Sequence, residues 1–93
     1  MLAYLLINCI PSQEKDVIKE ISELPGVIEV NGILGRYYII VKIKGDIPGE
    51  LDLIVSEVRS IKGVTDSYTM TVVYGQGGSI DKESDSNVSL LEY

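Results

Sequence analysis

The sequence predicts an α+β fold, a four-stranded antiparallel sheet with two helices on one face, in the order strand, helix, strand, strand, helix, strand. Three observations predict it. Two stretches repeat apolar residues at helical spacing, and each is stopped by a glycine, at Pro25-Gly26 and at Lys62-Gly63. Four apolar-rich runs of strand length surround them. Between the second and third runs stands little more than Gly35-Arg36, too short for a crossover, so those two strands must be antiparallel neighbours.

The first run, Leu2–Cys9, is near-continuously apolar, as expected of a central strand covered on both faces. No basic residue precedes it and it is far too short to span a bilayer, so it reads as a buried strand rather than a signal or anchor. Cys9 is then a reduced core thiol, and the expected location is the cytoplasm, with no membrane partner. Pro11-Ser12 ends the strand, and Ser12 is the candidate N-cap of a helix over residues 13–24. Val17, Ile18, Ile21 and Leu24 form its apolar stripe, and Glu14 and Asp16 suit the positive end of the helix dipole.

Residues 27–34 read as the second strand, with Glu29 and Asn31 alternating against Ile28 and Val30, and with Gly32 marking a bulge or a close backbone approach. Residues 37–44 form the third. Gly45-Asp46-Ile47-Pro48 opens the second helix, with Pro48 near its first position. Leu51, Ile54, Val55, Val58 and Ile61 line one side of it, while Leu53 is nearly opposite and is a candidate contact with a neighbouring chain. The last strand, residues 64–74, carries Val64, Asp66, Tyr68, Met70 and Val72 on one side and Thr65, Ser67, Thr69 and Thr71 on the other. A row of hydroxyls fits a partly polar interface or a ligand wall better than a strand buried under helices. The whole is the ferredoxin-like split βαβ plan. One sheet face lacks a cover within the chain, and a second copy of the chain is the simplest cover.

From Gly75 the composition changes. Residues 1–74 are expected to form the folded domain and residues 75–93 an acidic, flexible tail. The tail holds four of the fourteen acids and one of the eight bases, half of the net charge of −6. The rival expectation is that Val88, Leu90, Leu91 and Tyr93 dock on another subunit.

Composition excludes several functions. A surplus of acid leaves no basic stripe for phosphates, so direct nucleic-acid binding is not expected. The chain has no His and one Cys, which removes the commonest general base, most zinc and haem sites and any internal disulfide. Carboxylate pairs such as Asp16 with Glu20 lie on the wet helix face, and nothing pushes two acids to different pKa values, as acid–base catalysis requires. Gly75-Gln76-Gly77-Gly78 is not followed by Lys-Ser or Lys-Thr and opens no helix, so it is not a phosphate loop. No metal, no cofactor and no enzymatic activity are expected. The remaining constellation is Gly35-Arg36-Tyr37-Tyr38, a permissive glycine, a cationic fork and two phenols. It suits a small carboxylate, and equally a plain hairpin turn. A domain this small buries only about 60% of its unfolded surface and is marginal alone. Without metal or disulfide, self-association is the common remedy.

Four stretches together resemble the ligand-sensing (RAM) domain of the Lrp/AsnC transcription regulators: Leu24-Pro25-Gly26-Val27, Leu34-Gly35-Arg36-Tyr37, residues 39–44 with Gly45-Asp46, and Ile61-Lys62-Gly63-Val64 followed by Ser67-Tyr68-Thr69. The resemblance runs from about Leu2 to Tyr74. It implies dimers paired through their sheets, assembly of dimers into octamers or decamers, and amino-acid effectors bound between dimers. By resemblance, Gly35, Arg36, Tyr37 and Tyr38 line the effector pocket, with hydroxyls from Ser67 and Thr69. Most family members carry Asp directly after the hairpin aromatic, where this chain has Tyr38, which implies a different effector or an idle pocket. Family regulators also carry an amino-terminal helix-turn-helix domain. Here Met1 directly precedes the first strand, so the expectation is a stand-alone module that modulates a full-length regulator by co-assembly. Three alternatives accompany it. One is a structural assembly protein with an idle pocket. Another is an ACT-like amino-acid-binding module, although its glycine-rich junction is absent at Ile10-Pro11-Ser12-Gln13. The last is a dimeric α+β-barrel enzyme.

Overall fold

The computed structural model describes residues 1–79. They form β1 (Leu2–Cys9), α1 (Glu14–Ser22), β2 (Val27–Gly32), β3 (Ile39–Lys44), α2 (Pro48–Arg59) and β4 (Val64–Thr71). The sheet order is β2-β3-β1-β4, antiparallel at every step. The expected α+β plan is therefore present, with β1 and β3 central and β2 and β4 at the edges.

The core is one layer between the sheet and the two helices. Alternate residues of β1 (Ala3, Leu5, Ile7, Cys9) and of β3 (Ile39, Val41, Ile43) are buried. They meet Val17 and Ile21 of α1 and Leu51, Ile54 and Val58 of α2. The helical stripes read from spacing are thus the buried faces. Burying each such aliphatic side chain contributes about 1.5–3 kcal/mol. Pro48 stands at the start of α2, where its missing N–H costs no helical bond. Leu53 is 60% exposed.

Four local expectations differ from the structure. β1 is covered by helices on one face only: its residues alternate between buried and half-buried, because α1 and α2 pack on the same side. Ser12 is not the cap of α1. It takes a positive φ of 74° in the turn, Gln13 occupies the N-cap position, and no side chain caps the helix. The β2–β3 connection is wider than Gly35-Arg36. Residues 33–38 leave the ladder, and Ile33 N–H closes the loop on the Tyr38 carbonyl at 2.8 Å. The bulge in β2 falls at Ile28, between the pairs Val27–Ile43 and Glu29–Lys42, rather than at Gly32.

The uncovered face of the sheet is read from the register. Tyr4 stands between Lys42 and Met70, and Leu6 stands between Ile40 and Tyr68. Glu29 extends the first row and Asn31 the second. Tyr68 is 56% exposed on this face. Leu2, Tyr4, Leu6 and Ile40 are half-buried there, so a mixed aromatic and aliphatic surface lies open on the side away from the helices. A shallow depression of about 110 Å³, walled by Tyr4, Glu29, Asn31, Ile40 and Lys42, lies on the β2 side of this face.

Candidate functional site

One end of the sheet gathers most of the residues singled out from the sequence. Cross-strand pairing aligns Ile39 of β3, Ile7 of β1 and Ser67 of β4 in one row. Hairpin 33–38 projects beyond β3 at that end. Two strand spacings, about 10 Å, separate its base from β4.

Gly35 has a φ of 149°, and beyond its two chain neighbours no heavy atom lies within 4 Å of where a Cβ would stand, so glycine serves the turn's backbone and not its packing. Leu34 beside it is fully exposed. The hairpin is fastened to β1 by Asn8, the one polar side chain in that strand's otherwise apolar run. Asn8 Nδ2 donates to the Arg36 carbonyl at 3.3 Å, and Tyr38 N–H donates to Asn8 Oδ1 at 3.2 Å. Tyr38 N–H also lies 3.2 Å from the Ile7 carbonyl. The Arg36 and Tyr38 side chains are exposed and Tyr37 is half-buried. Asn8 was not among the site residues read from the sequence. Its signal there is a lone amide at the end of an apolar strand.

β4 departs from simple alternation. Cys9 pairs with Val64 and Asn8 with Asp66, so Thr65 is an extra residue, a β-bulge. Val64 therefore packs toward the helices, against the core, while Asp66, Tyr68 and Met70 share the open face. Ser67, Thr69 and Thr71 pair with Ile7, Leu5 and Ala3, whose side chains are buried under the helices. The hydroxyl row consequently lies on the helix side of the sheet, at an edge that the helices cover only in part: Thr69 and Thr71 are exposed and Ser67 is half-buried. Ser67 is engaged from above. Arg59, in the last turn of α2, donates from Nε to Ser67 Oγ at 2.7 Å. Arg59, Val64, Thr65, Asp66 and Ser67 wall a cavity of about 290 Å³. Arg59 is a second residue absent from the site residues read from the sequence. Its link to Ser67 depends on the bulge, which periodicity does not reveal.

Cys9 is buried, and burial, reinforced by the nearby Glu14 carboxylate, pushes its thiol above the ordinary value of 9.0. It is neutral near pH 7 and poorly nucleophilic. Among the described residues no group of three or more His, Cys, Asp and Glu side chains is placed to hold a metal ion. No helix among them is long and apolar enough to cross a membrane.

This fold and hairpin coincide with a known family model, the Lrp/AsnC ligand binding domain, which matches residues 2–75. The chain belongs to the Lrp/AsnC ligand-binding domain family. It is 36% identical over 72 residues to an uncharacterised HTH-type transcriptional regulator of Pyrococcus furiosus, a match covering 73% of this chain and 48% of that protein. It is 40% identical over 57 residues to a homocitrate synthase of Sulfurisphaera tokodaii, covering 61% of this chain and 12% of the synthase. The chain thus spans about half the length of the regulator and a small part of the enzyme. Among solved structures, a Thermus thermophilus protein superposes with a TM-score of 0.77 at 26% identity, covering 83% of this chain and 98% of that one. A Neisseria meningitidis transcriptional regulator, solved as an L-Met complex, superposes with a TM-score of 0.73 at 14% identity, covering 84% and 53%. At that identity the likeness to this Lrp/AsnC domain is one of fold.

Proposed function

We propose that this Lrp/AsnC domain is an effector-sensing and oligomerisation module. It pairs with a second copy through the open sheet face, binds a small molecule, an amino acid, where dimers meet near hairpin 33–38, and passes occupancy to a full-length regulator by co-assembly. One observation carries the reading: Tyr4, Leu6, Ile40, Tyr68 and Met70 form a surface on the side away from the helices, with the hairpin and Ser67 at one end of the same sheet. The face suits association through buried apolar area. The sheet end offers backbone and hydroxyl groups to a polar ligand, with Gly35, Arg36, Tyr37 and Tyr38 on one side of β1 and Ser67 and Thr69 on the other. Hairpin and hydroxyls stand on different strands about 10 Å apart, so a ligand touching both is best held where two dimers bring their sheet ends together. The L-Met complex of the Neisseria fold relative supports an amino acid as the ligand class. Neither catalysis nor direct DNA binding belongs to this reading.

Mass in solution by light scattering, with and without a panel of amino acids, tests it. A dimer or a multiple of dimers is expected, with Leu6→Asp reducing it to monomer and at least one amino acid shifting the distribution. A monomer at every concentration and with every amino acid overturns the proposal. Ligand-driven change in assembly requires different affinities for the two states, so the tightest binder should give the largest shift.

The synthase match favours a second reading, in which an enzyme is the partner. A stretch similar to 57 residues of this domain spans 12% of a homocitrate synthase, which makes a catalytic subunit a candidate reader of its occupancy beside an operator-binding one. Stable, effector-dependent binding to a synthase subunit freed of its own module would favour it. Mixed oligomers with a full-length regulator would favour the first.

A further inference from the structure

Asn8 belongs both to the open sheet face and to the fastening of hairpin 33–38. The helices bury Ala3, Leu5, Ile7 and Cys9, so Leu2, Tyr4, Leu6 and Asn8 turn their side chains to the open face. Asn8 follows Leu6 on that face, about 7 Å further along β1. The β1–β3 ladder ends at the pair Ile7–Ile39. Beyond it the Asn8 amide takes over, accepting from Tyr38 N–H at 3.2 Å and donating to the Arg36 carbonyl at 3.3 Å. A carboxamide has the donor and the acceptor of a peptide group, so it adds one rung to the ladder from a side chain. That rung holds the backbone of residues 36–38 at the rim of the open face. In the single chain both bonds are exposed, and water competes for each group.

We infer that Asn8 is a positioning residue that couples pairing through the open face to the hairpin: a second copy seated on Leu6 and Tyr68 tightens the hold of Asn8 on residues 36–38. Desolvation does the coupling. A stable interface removes about 800 Å² from water on each partner. Leu6, Ile40 and Tyr68 alone cannot supply that area, so the covered patch extends along β1 to Asn8. Once water is excluded there, an opened loop leaves the amide buried without partners. Opening is then far less favourable than in the monomer. Tyr38 N–H keeps the Ile7 carbonyl in either state, so the amide rung is the part that responds to pairing. The coupling is reciprocal. A ligand that binds Arg36, Tyr37 and Tyr38 in their ordered arrangement favours the paired state by the factor with which pairing favours the ligand. The inference rests on the proposed pairing and sensing, and it names the residue that joins them.

Hydrogen–deuterium exchange of the full chain by mass spectrometry tests it, at concentrations where light scattering finds monomer and where it finds dimer. Pairing should slow the amides of residues 36–38 about tenfold or more. Leu6→Asp, with Asn8 intact, should exchange there at the monomer rate at every concentration. In Asn8→Ala dimers the same amides should gain less than about twofold protection on pairing, while residues 39–44 keep the wild-type pattern. A purely structural loss of two bonds would instead speed exchange in monomer and dimer alike and leave the gain on pairing unchanged. A wild-type dimer whose 36–38 amides exchange at the monomer rate overturns this inference and leaves pairing standing. So does a gain on pairing that survives Asn8→Ala in full. A wild-type chain that stays monomeric at every concentration overturns both.

Discussion

Asn8 shows how one side chain can decide the position of a whole loop. Its amide accepts from Tyr38 N–H and donates to the Arg36 carbonyl, so it ties hairpin 33–38 to β1 at two points. Asn8→Ala removes both bonds, while Tyr38 N–H keeps the Ile7 carbonyl as an acceptor. The expected loss is about 1 kcal/mol of stability, with amide exchange at residues 36–38 speeding up more than elsewhere by mass spectrometry. Uniform acceleration across the chain would show that Asn8 does not act locally. Cys9 gives a second residue-scale outcome. Its folded pKa is raised above 9.0, so below that value both states keep the proton and its titration leaves stability unchanged. As pH rises past it, the unfolded chain loses the proton first. Stability then falls by up to about 1.4 kcal/mol per pH unit until the folded thiol ionises as well. Urea midpoints above about pH 9 should therefore drop more steeply for the wild type than for Cys9→Ala, and equal slopes would count against the shift.

At the scale of elements, periodicity and punctuation were legible and irregularity was not. Helical spacing identified Val17, Ile21, Leu51, Ile54 and Val58 as core, because burial on one face repeats at the helix period. It could not reveal that Thr65 is an extra residue, because a bulge changes pairing without changing composition. Strict alternation therefore set Val64 beside Tyr68 and gave no sign of the contact between Arg59 and Ser67. The hairpin was legible as a turn but not in its width, which the Ile33 and Asn8 bonds fix from outside the turn itself. Ser12 illustrates the same limit: it has the chemistry of a cap, but the chain turns through it before the helix begins. The proposed tail contacts, Val88, Leu90, Leu91 and Tyr93, lie outside the described residues. Two glycines separate conformational from steric demand. Gly26 has a φ of 87°, and a Cβ there would run into the Ile54 side chain and stand 3.0 Å from the Lys44 carbonyl oxygen. Gly35 has a positive φ but open space. Gly26→Ala should cost about 2–4 kcal/mol, from the positive φ and the overpacking together. Gly35→Ala should cost about 1 kcal/mol, since its exposed loop can relax. Chemical denaturation of both variants checks the order, and a larger loss at Gly35 would mean that the turn is rigidly held.

The molecule as a whole is a sheet with one finished face. The helix side buries the aliphatic core, whereas the other side sets Leu6 between Ile40 and Tyr68, and Tyr4 between Lys42 and Met70. A domain of this size has little stability to spare, because its surface is large relative to its core. If a second copy covers the open face, part of the folding free energy is association free energy and must depend on concentration. The melting temperature should then rise as the protein is concentrated. Leu6→Asp places a charge at the centre of that face without touching the helix-side core. It should lower the melting temperature at high concentration, abolish the concentration dependence and leave the secondary structure of the monomer intact. The aspartate is solvated in a monomer and buried without a partner only in a dimer, so the variant should approach the wild type as both are diluted. A wild-type melting temperature that does not respond to concentration, together with an unaffected Leu6→Asp variant, would mean that the open face is stable in water as it stands. The sensing module would then have to work without pairing through its sheet.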